Sequence, residues 1–231
     1  MKQYKNRSLI QLHNADCLEA LRGMKDNEFD LAIVDPPYGL TKGMNRGIDN
    51  IPRNSRHNNN KGLYDTKTAY TNERPPDEYF EQLRRVSKNQ IVWGGCYFPP
   101  LWDAPSRGFI FWDKQQISRL HADGEMAWTS FDRNAKCFSY CWAGAKGGDT
   151  LKSKLTKAIH PTQKPLALYT WLLQHYAQSG DRILDTHLGG GAIAVACDML
   201  GFDLVAYEIS PVYYDRACNR LEEHQRQLTL F

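Results

Sequence analysis

Apolar residues along this chain fall into short, nearly continuous runs that end at proline or glycine, and into longer runs with helical spacing. Ile10 to Leu12 is a short strand candidate. Asp16 then stands where a helix cap belongs, with Glu19 three residues on and Leu18, Leu21 and Met24 on the face to be buried. The run Phe29-Asp30-Leu31-Ala32-Ile33-Val34-Asp35 is almost wholly apolar, which predicts a central parallel strand covered on both faces, ended by Pro36 and Pro37. From Gly39 to Pro76 the periodicity vanishes and Asn, Gly, Lys and Arg take over; a loop of that length in a compact domain is usually functional or mobile. Asp77 precedes a helix burying Phe80, Leu83 and Val86, and strands are predicted at Ile91–Trp93, Phe109–Trp112 and Met126–Trp128. Alternation from Lys136 to Trp142 suggests a half-buried strand, and Gly144 to Lys157 is a second loop rich in glycine and lysine.

The last third is the most regular: a helix from Leu166 to Ala177, a strand Ile183-Leu184-Asp185, a glycine turn, a helix from Ala192 to Leu200, and a strand Leu204–Tyr207 ending in Glu208. Ser210 and Pro211 supply the cap and first residue of a final helix. Strand and helix alternate, which predicts an α/β fold with a doubly wound parallel sheet. The expectation is one domain over 1–231, with loop insertions at about 39–76 and 143–159 and no internal repeat.

Composition narrows this picture only slightly. A chain of 231 residues with 42% hydrophobic content buries the core of one such domain, and a net charge of +3 is too small to prove a polyanionic partner. Six cysteines lack CxxC pairing and most lie in apolar runs, where a thiol packs as a small hydrophobe, which fits a reducing compartment. Cys137, Cys141 and His121 match no common zinc spacing, so no metal is expected. The charged start, Met1 to Arg7, leads into no apolar stretch, and no run approaches the roughly 20 residues that span a bilayer; a soluble cytoplasmic protein is expected.

Two segments carry candidate chemistry. Asp185-Thr186-His187-Leu188-Gly189-Gly190-Gly191 follows a strand, and Glu208 ends the next one. Glycines there let a ligand approach the backbone, and the acid can accept both hydroxyls of a ribose, so the pair points to a nucleoside cofactor; a packed glycine turn without a ligand has the same look. The spacing is not that of a dinucleotide fingerprint. Asp35-Pro36-Pro37-Tyr38 follows a buried strand, where α/β sheets place ligands. The carboxylate and the Pro36 carbonyl can accept both hydrogens of a planar amino group while Tyr38 stacks on its ring. An amino nitrogen conjugated to a purine or pyrimidine is a poor nucleophile, and two acceptors favour the pyramidal form whose lone pair attacks a sulfonium methyl in line. A proline-ended strand with a core aromatic is the plainer reading of the same four residues.

Together these segments resemble the amino-group DNA methyltransferases, in the permuted class where the catalytic motif precedes the cofactor motif. The resemblance covers nearly the whole chain. Asn14-Ala15-Asp16-Cys17 resembles the segment that meets the cofactor adenine, Asp35 to Tyr38 the catalytic motif, and Ile91–Phe98 and Glu125–Ser130 the target-pocket strands. His160-Pro161-Thr162-Gln163-Lys164-Pro165 resembles the segment whose Thr162 and Lys164 would face the methionine carboxylate. The resemblance implies a Rossmann-like class I methyltransferase sheet and S-adenosylmethionine as cofactor, held by Asp16, Cys17, Thr162, Lys164, Asp185, His187, Gly189, Gly191 and Glu208. Asp16 reads equally as a helix cap. The family usually has a proline, an aromatic and Gly-Ser-Gly where this chain has Thr186, His187 and three glycines; His187 either stacks on the cofactor in place of the aromatic or is a satisfied histidine beside it.

The implied substrate is double-stranded DNA with its target base flipped out of the stack, and the Asp-Pro-Pro-Tyr form is commoner on adenine N6 than on cytosine N4. Lys42, Arg46, Arg53, Arg56 and Lys61 in the first loop, and Lys152 and Lys154 in the second, suit phosphate contact, though a solvated loop has the same composition. The end Gln227-Leu228-Thr229-Leu230-Phe231 resembles the pentapeptide that docks bacterial replication proteins on the sliding clamp; a frayed helix end is the alternative. Family members are often homodimers. Methyl transfer to RNA or a protein amide competes with DNA, although those enzymes usually place asparagine first in the tetrapeptide. A noncatalytic nucleic-acid-binding module is the third reading, motivated by Thr186 and His187.

Overall fold

The computed structural model describes residues 1–5, 7–39, 73–103, 107–115, 122–142, 159–160 and 162–228. In chain order the elements are β1 (Lys2–Lys5), β2 (Leu9–Asn14), α1 (Cys17–Gly23), β3 (Phe29–Val34), α2 (Asp77–Val86), β4 (Ser87–Trp93), β5 (Phe109–Asp113), β6 (Gly124–Thr129), β7 (Lys136–Ser139), α3 (Leu166–Tyr176), β8 (Arg182–Asp185), α4 (Ala192–Leu200), β9 (Asp203–Glu208) and α5 (Pro211–Leu228). The strands form one sheet in the order β1-β2-β9-β8-β3-β4-β6-β5-β7.

The core of the sheet, β2, β9, β8, β3 and β4, is parallel, as the alternation of strands and helices predicts. Antiparallel pairs appear toward the margins: β1 lies antiparallel to β2, and β6 to both β4 and β5, while the edge strand β7 runs parallel to β5. A parallel pair needs a long crossover, whereas β5 and β6 close on each other through Lys114 N donating to Asp123 O at 2.9 Å. The sheet is therefore mixed. Strand β1, which the sequence shows only as a charged lead, is an exposed edge strand; lysines at such an edge leave no apolar stripe to read.

The long apolar run in β3 is explained by two packed faces. Leu31 and Ile33 join Ile91, Trp93, Leu168, Leu172 and Ile193 in one core, while Ala32 and Val34 join Leu21, Phe80, Leu83, Val92 and Leu184 in the other. Side chains alternate across a strand, so a central strand needs apolar residues at every position. Helix α2 begins at Asp77 itself, behind Pro76 with no side-chain cap, and passes straight into β4.

Asp30, the one charge in β3, ties three strands together at the edge opposite the site. Its Oδ2 accepts from Arg182 N of β8 at 2.9 Å and its Oδ1 from Lys88 Nζ of β4 at 2.6 Å. The Arg182 N–H first, and then the Lys88 ammonium, hold this carboxyl below its ordinary range. Asp30→Ala is expected to lower unfolding stability by about 1–2 kcal/mol, the scale of hydrogen bonds to a partly exposed charge, read as a shift of the urea midpoint at unchanged slope.

Candidate active site

Parallel pairing brings Asn14, Asp35, Asp185 and Glu208, at the ends of β2, β3, β8 and β9, to one edge of the sheet. A cavity of about 550 Å³ opens there, within the range of ordinary ligand sites. Asp16, Cys17, Asp35, Pro37, Thr162, Lys164, His187, Gly189 and Glu208 all line it. Glu208 is braced by two backbone donors, Gly189 N on Oε2 and Ser210 N on Oε1, each at 2.9 Å. Burial raises its carboxyl above the ordinary range against those N–H groups. Asp16 Oδ1 accepts from Leu18 N at 2.8 Å and Glu19 N at 3.1 Å, so the helix cap and the cavity wall are the same carboxylate.

Asp185 and Gly191 were expected against the cofactor and stand behind the wall instead. Asp185 is 1% exposed and accepts His187 N at 2.9 Å, which shapes the turn; burial pushes its carboxyl up to about 8. Gly191 has φ +67°, and a Cβ there would come within 2.8 Å of Ala217 Cβ, so this glycine serves the packing of α5. Gly190 lines the cavity against Gln163, whose Oε1 a Cβ would meet at 2.8 Å.

Asp35 sits at the mouth of β3 in a cluster of charges. Tyr38 OH donates to its Oδ1 at 2.8 Å, and Lys164 Nζ lies 2.6 Å from its Oδ2. The same ammonium is 3.0 Å from Glu125 Oε2, and Lys114 Nζ holds the other oxygen of Glu125. Burial raises the Asp35 carboxyl while Lys164 pulls it back. Burial would also raise Glu125, but Lys164 and Lys114 outweigh it and hold that carboxyl at about 2. Burial keeps the Tyr38 hydroxyl protonated far above its ordinary value, with Asp35 and Glu125 adding to the effect. One expectation changes here. The Lys164 ammonium is turned onto Asp35, because two buried carboxylates attract it. Pro36 and Tyr38 lie outside the cavity wall, and the Tyr38 ring stacks on Tyr97 with centroids 5.1 Å apart.

Residues 108–219 match a family described as DNA methylase, of the N6/N4 class. The matched stretch, just under half of the chain, is similar to the amino-group DNA methylases. It is 25% identical to the type II methyltransferase M2.DpnII of Streptococcus pneumoniae over 96% of this chain and 92% of the relative. To M.HpaI of Haemophilus parainfluenzae it is 24% identical, over 90% and 73%. Among solved structures, the M1.HpyAVI-SAM complex superposes with a TM-score of 0.55 at 20% identity, covering 92% of this chain and 100% of that one. The cytosine-N4-specific PvuII DNA methyltransferase gives 0.58 at 13%, covering 94% and 90%. These structural likenesses carry the fold, a class I methyltransferase sheet.

The chain departs at Thr186 and His187 from the pattern usual among the enzymes it resembles, and the structure shows what stands there. Thr186 Oγ1 shares hydrogen bonds with Tyr79 OH at 2.6 Å and with His187 Nδ1 at 2.8 Å. His187 Nε2 faces Cys17 Sγ at 4.0 Å, and the ring lies edge-on to Tyr79 at 5.5 Å. Burial holds His187 at about 4, so it is neutral near pH 7. It is a satisfied histidine that also lines the cavity. His160 is likewise lowered to about 4, by burial first and then by the Lys164 and Arg216 charges, and its Nδ1 accepts from Thr162 N at 3.3 Å.

Glu125, Lys114 and Tyr79 are the site residues that sequence reading missed. Glu125 opens one of the segments that resemble target-pocket strands, which was the available signal. The expected DNA contacts Lys42, Arg46, Arg53, Arg56, Lys61, Lys152 and Lys154 lie outside the described residues, as do His121 and Thr229–Phe231. Of the terminal pentapeptide, Gln227 is exposed at the end of α5. Cys96, Cys137 and Cys141 are exposed, against the expectation that most cysteines pack inside; Cys197 and Cys218 are buried and Cys17 is intermediate. Cys137 sits on a short strand at the sheet edge, where half the side chains face outward. No helix among the described residues is long and apolar enough to cross a membrane.

Gly94 permits the packing of Tyr38. It has φ +69°, and a Cβ would lie 2.2 Å from the Tyr38 ring. Gly94→Ala is expected to displace that ring and lower methyl transfer by about 100-fold, the scale of a small misplacement at a reacting centre, with cofactor affinity retained by isothermal titration.

Proposed function

We propose that this S-adenosylmethionine-dependent DNA methyltransferase acts on the N6 amino group of adenine. The observation that carries the reading is Asp35: a charged acceptor at the end of β3, on the wall of a nucleoside-sized cavity, beside the carbonyl of Pro36. The Asp-Pro-Pro-Tyr form of the tetrapeptide favours adenine over cytosine. In this reading Glu208 accepts the ribose hydroxyls, Asp16 and Cys17 meet the cofactor adenine, and Thr162 and His187 close the cavity around the remainder. When bound, the cofactor supplies a methyl group on a positive sulfur.

The residues of this chain then divide the work among them. Asp35 and the Pro36 carbonyl would accept the two amino hydrogens and favour the pyramidal nitrogen with its lone pair turned to the methyl group, and Asp35 would take up the amino proton that the methylated nitrogen must lose. Tyr38 offers its ring to the flipped base and its hydroxyl to Asp35. The basic residues Lys42, Arg46, Arg53, Arg56, Lys61, Lys152 and Lys154 are assigned to duplex phosphates on composition. Residues Gln227, Leu228, Leu230 and Phe231 are assigned to a sliding-clamp groove on the terminal pentapeptide. Pairing of two copies on the substrate belongs to the same proposal.

The test is transfer of a labelled methyl to unmethylated duplex DNA, followed by nucleoside mass spectrometry. N6-methyladenine is the expected product; N4-methylcytosine would move the target to the other base with the same chemistry. Asp35→Ala is expected to lower transfer by at least about 100-fold while cofactor binding persists, and full turnover in that variant would overturn the catalytic assignment.

A further inference from the structure

The cavity chemistry uses Asp35 as an acceptor, yet Asp35 does not stand alone. Four charges alternate in sign through contacts: Asp35, Lys164, Glu125 and Lys114. They come from the end of β3, the segment before α3, β6 and the residue after β5. All four are largely shielded, Lys164 most of all at 4% side-chain exposure. The Lys164 ammonium has three donors. Asp35 Oδ2 at 2.6 Å, Glu125 Oε2 at 3.0 Å and Tyr38 OH at 3.4 Å offer an acceptor for each. That arrangement leaves no donor over for a cofactor carboxylate.

From this geometry we infer that Lys164 is a positioning residue that keeps the Asp35 carboxylate charged and aimed, with Glu125 and Lys114 fixing the ammonium in place. The inference rests on Asp35 being the amino-group acceptor. Tyr38 OH lies within reach of both carboxylates, 2.8 Å from Asp35 and 3.4 Å from Glu125, so the two acids share one small site. Two such acids without a cation between them cannot both ionise, and the less stabilised one takes a proton. Glu125 retains Lys114, so Asp35 would be the one to protonate. A protonated carboxyl presents a hydrogen where the amino group needs an acceptor.

The described groups that face Asp35 set the sign of its pH dependence. Lys164 favours the charged form and Glu125 opposes it. Tyr38 donates to it, and Asp185 on β8, Tyr79 on α2 and Tyr169 on α3 stand further off with their hydroxyls and carboxyl in its field. Activity therefore has an acid limb, lost as pH falls through the Asp35 value. Removing Lys164 moves that limb up; removing the Glu125 charge moves it down, because Lys164 then turns wholly to Asp35.

The experiment measures kcat and the KM for S-adenosylmethionine on duplex DNA from pH about 5 to about 9 in the full-length enzyme. Lys164→Met is expected to lower kcat near neutrality by about 100-fold and to raise the acid limb by about 2 pH units, with KM little changed. Lys164→Arg should restore most of both, and Glu125→Gln should shift the limb the opposite way. In an Asp35→Asn background, where there is no carboxylate to keep charged, adding Lys164→Met should cost less than about threefold. An unmoved limb, an equal loss in both backgrounds, or an effect confined to KM would overturn the proposal. Should Lys164→Met fail to fold, the Glu125→Gln shift decides alone. Full activity in Asp35→Ala would instead sink the function on which the proposal stands.

Discussion

Parallel pairing forces neighbouring strands to end on the same edge of a sheet, and everything this molecule does is built on that constraint. Register pairs Asn14 with Glu208 and Asp185 with Ala206, so the last residues of β2, β9 and β8 arrive together, and β3 adds Asp35 beside them. Each terminal residue is polar, whereas Val34, Leu184 and Tyr207, one step inside on β3, β8 and β9, still pack in the core. The cavity is the space above that row of polar ends, closed by the glycine turn after β8 and the start of α1. The same constraint explains why Asp30, at the far end of β3, is free to bind strands together rather than to bind a ligand.

What the sequence reveals is whatever is local. The proline break after Asp35, the glycine turn after Asp185 and the helix from Ala192 to Leu200 are each written in a dozen contiguous residues, and each lies where it was expected. What it conceals is whatever depends on antiparallel partners far along the chain. Glu125 reaches Asp35 only because β6 pairs with β4 in reverse, and Lys114 joins because β5 pairs with β6. Gly191 shows the converse failure: a glycine run reads as a place for a ligand, while the third glycine answers to Ala217 on α5.

The buried charges show how far the site departs from a packed core. Carboxylates and ammoniums withdrawn from water destabilise a fold unless each finds a partner, and replacing such groups by hydrocarbon is often neutral or better for stability. Their presence at one place, together with two histidines held neutral by burial, marks the region where chemistry rather than packing selects the residues. Thr186 and His187 fit this view, since Tyr79 completes their hydrogen bonds and the departure from the usual family pattern leaves the wall of the cavity intact.

Strand β8 lies between β3 and β9, although β3 belongs to the beginning of the chain and β8 to its last quarter. During synthesis β3 therefore emerges with one edge unsatisfied and must wait for partners such as Ile183 and Leu184 to leave the ribosome. Contacts so distant in sequence form slowly, because a long loop must close before any of them is made. The block from β3 to β7 can assemble early, whereas β2 finds β9 only at the end. The edge that carries the chemistry is thus the last seam of the molecule to close, and a nascent chain stalled before β8 exposes a long apolar strand edge to its neighbours.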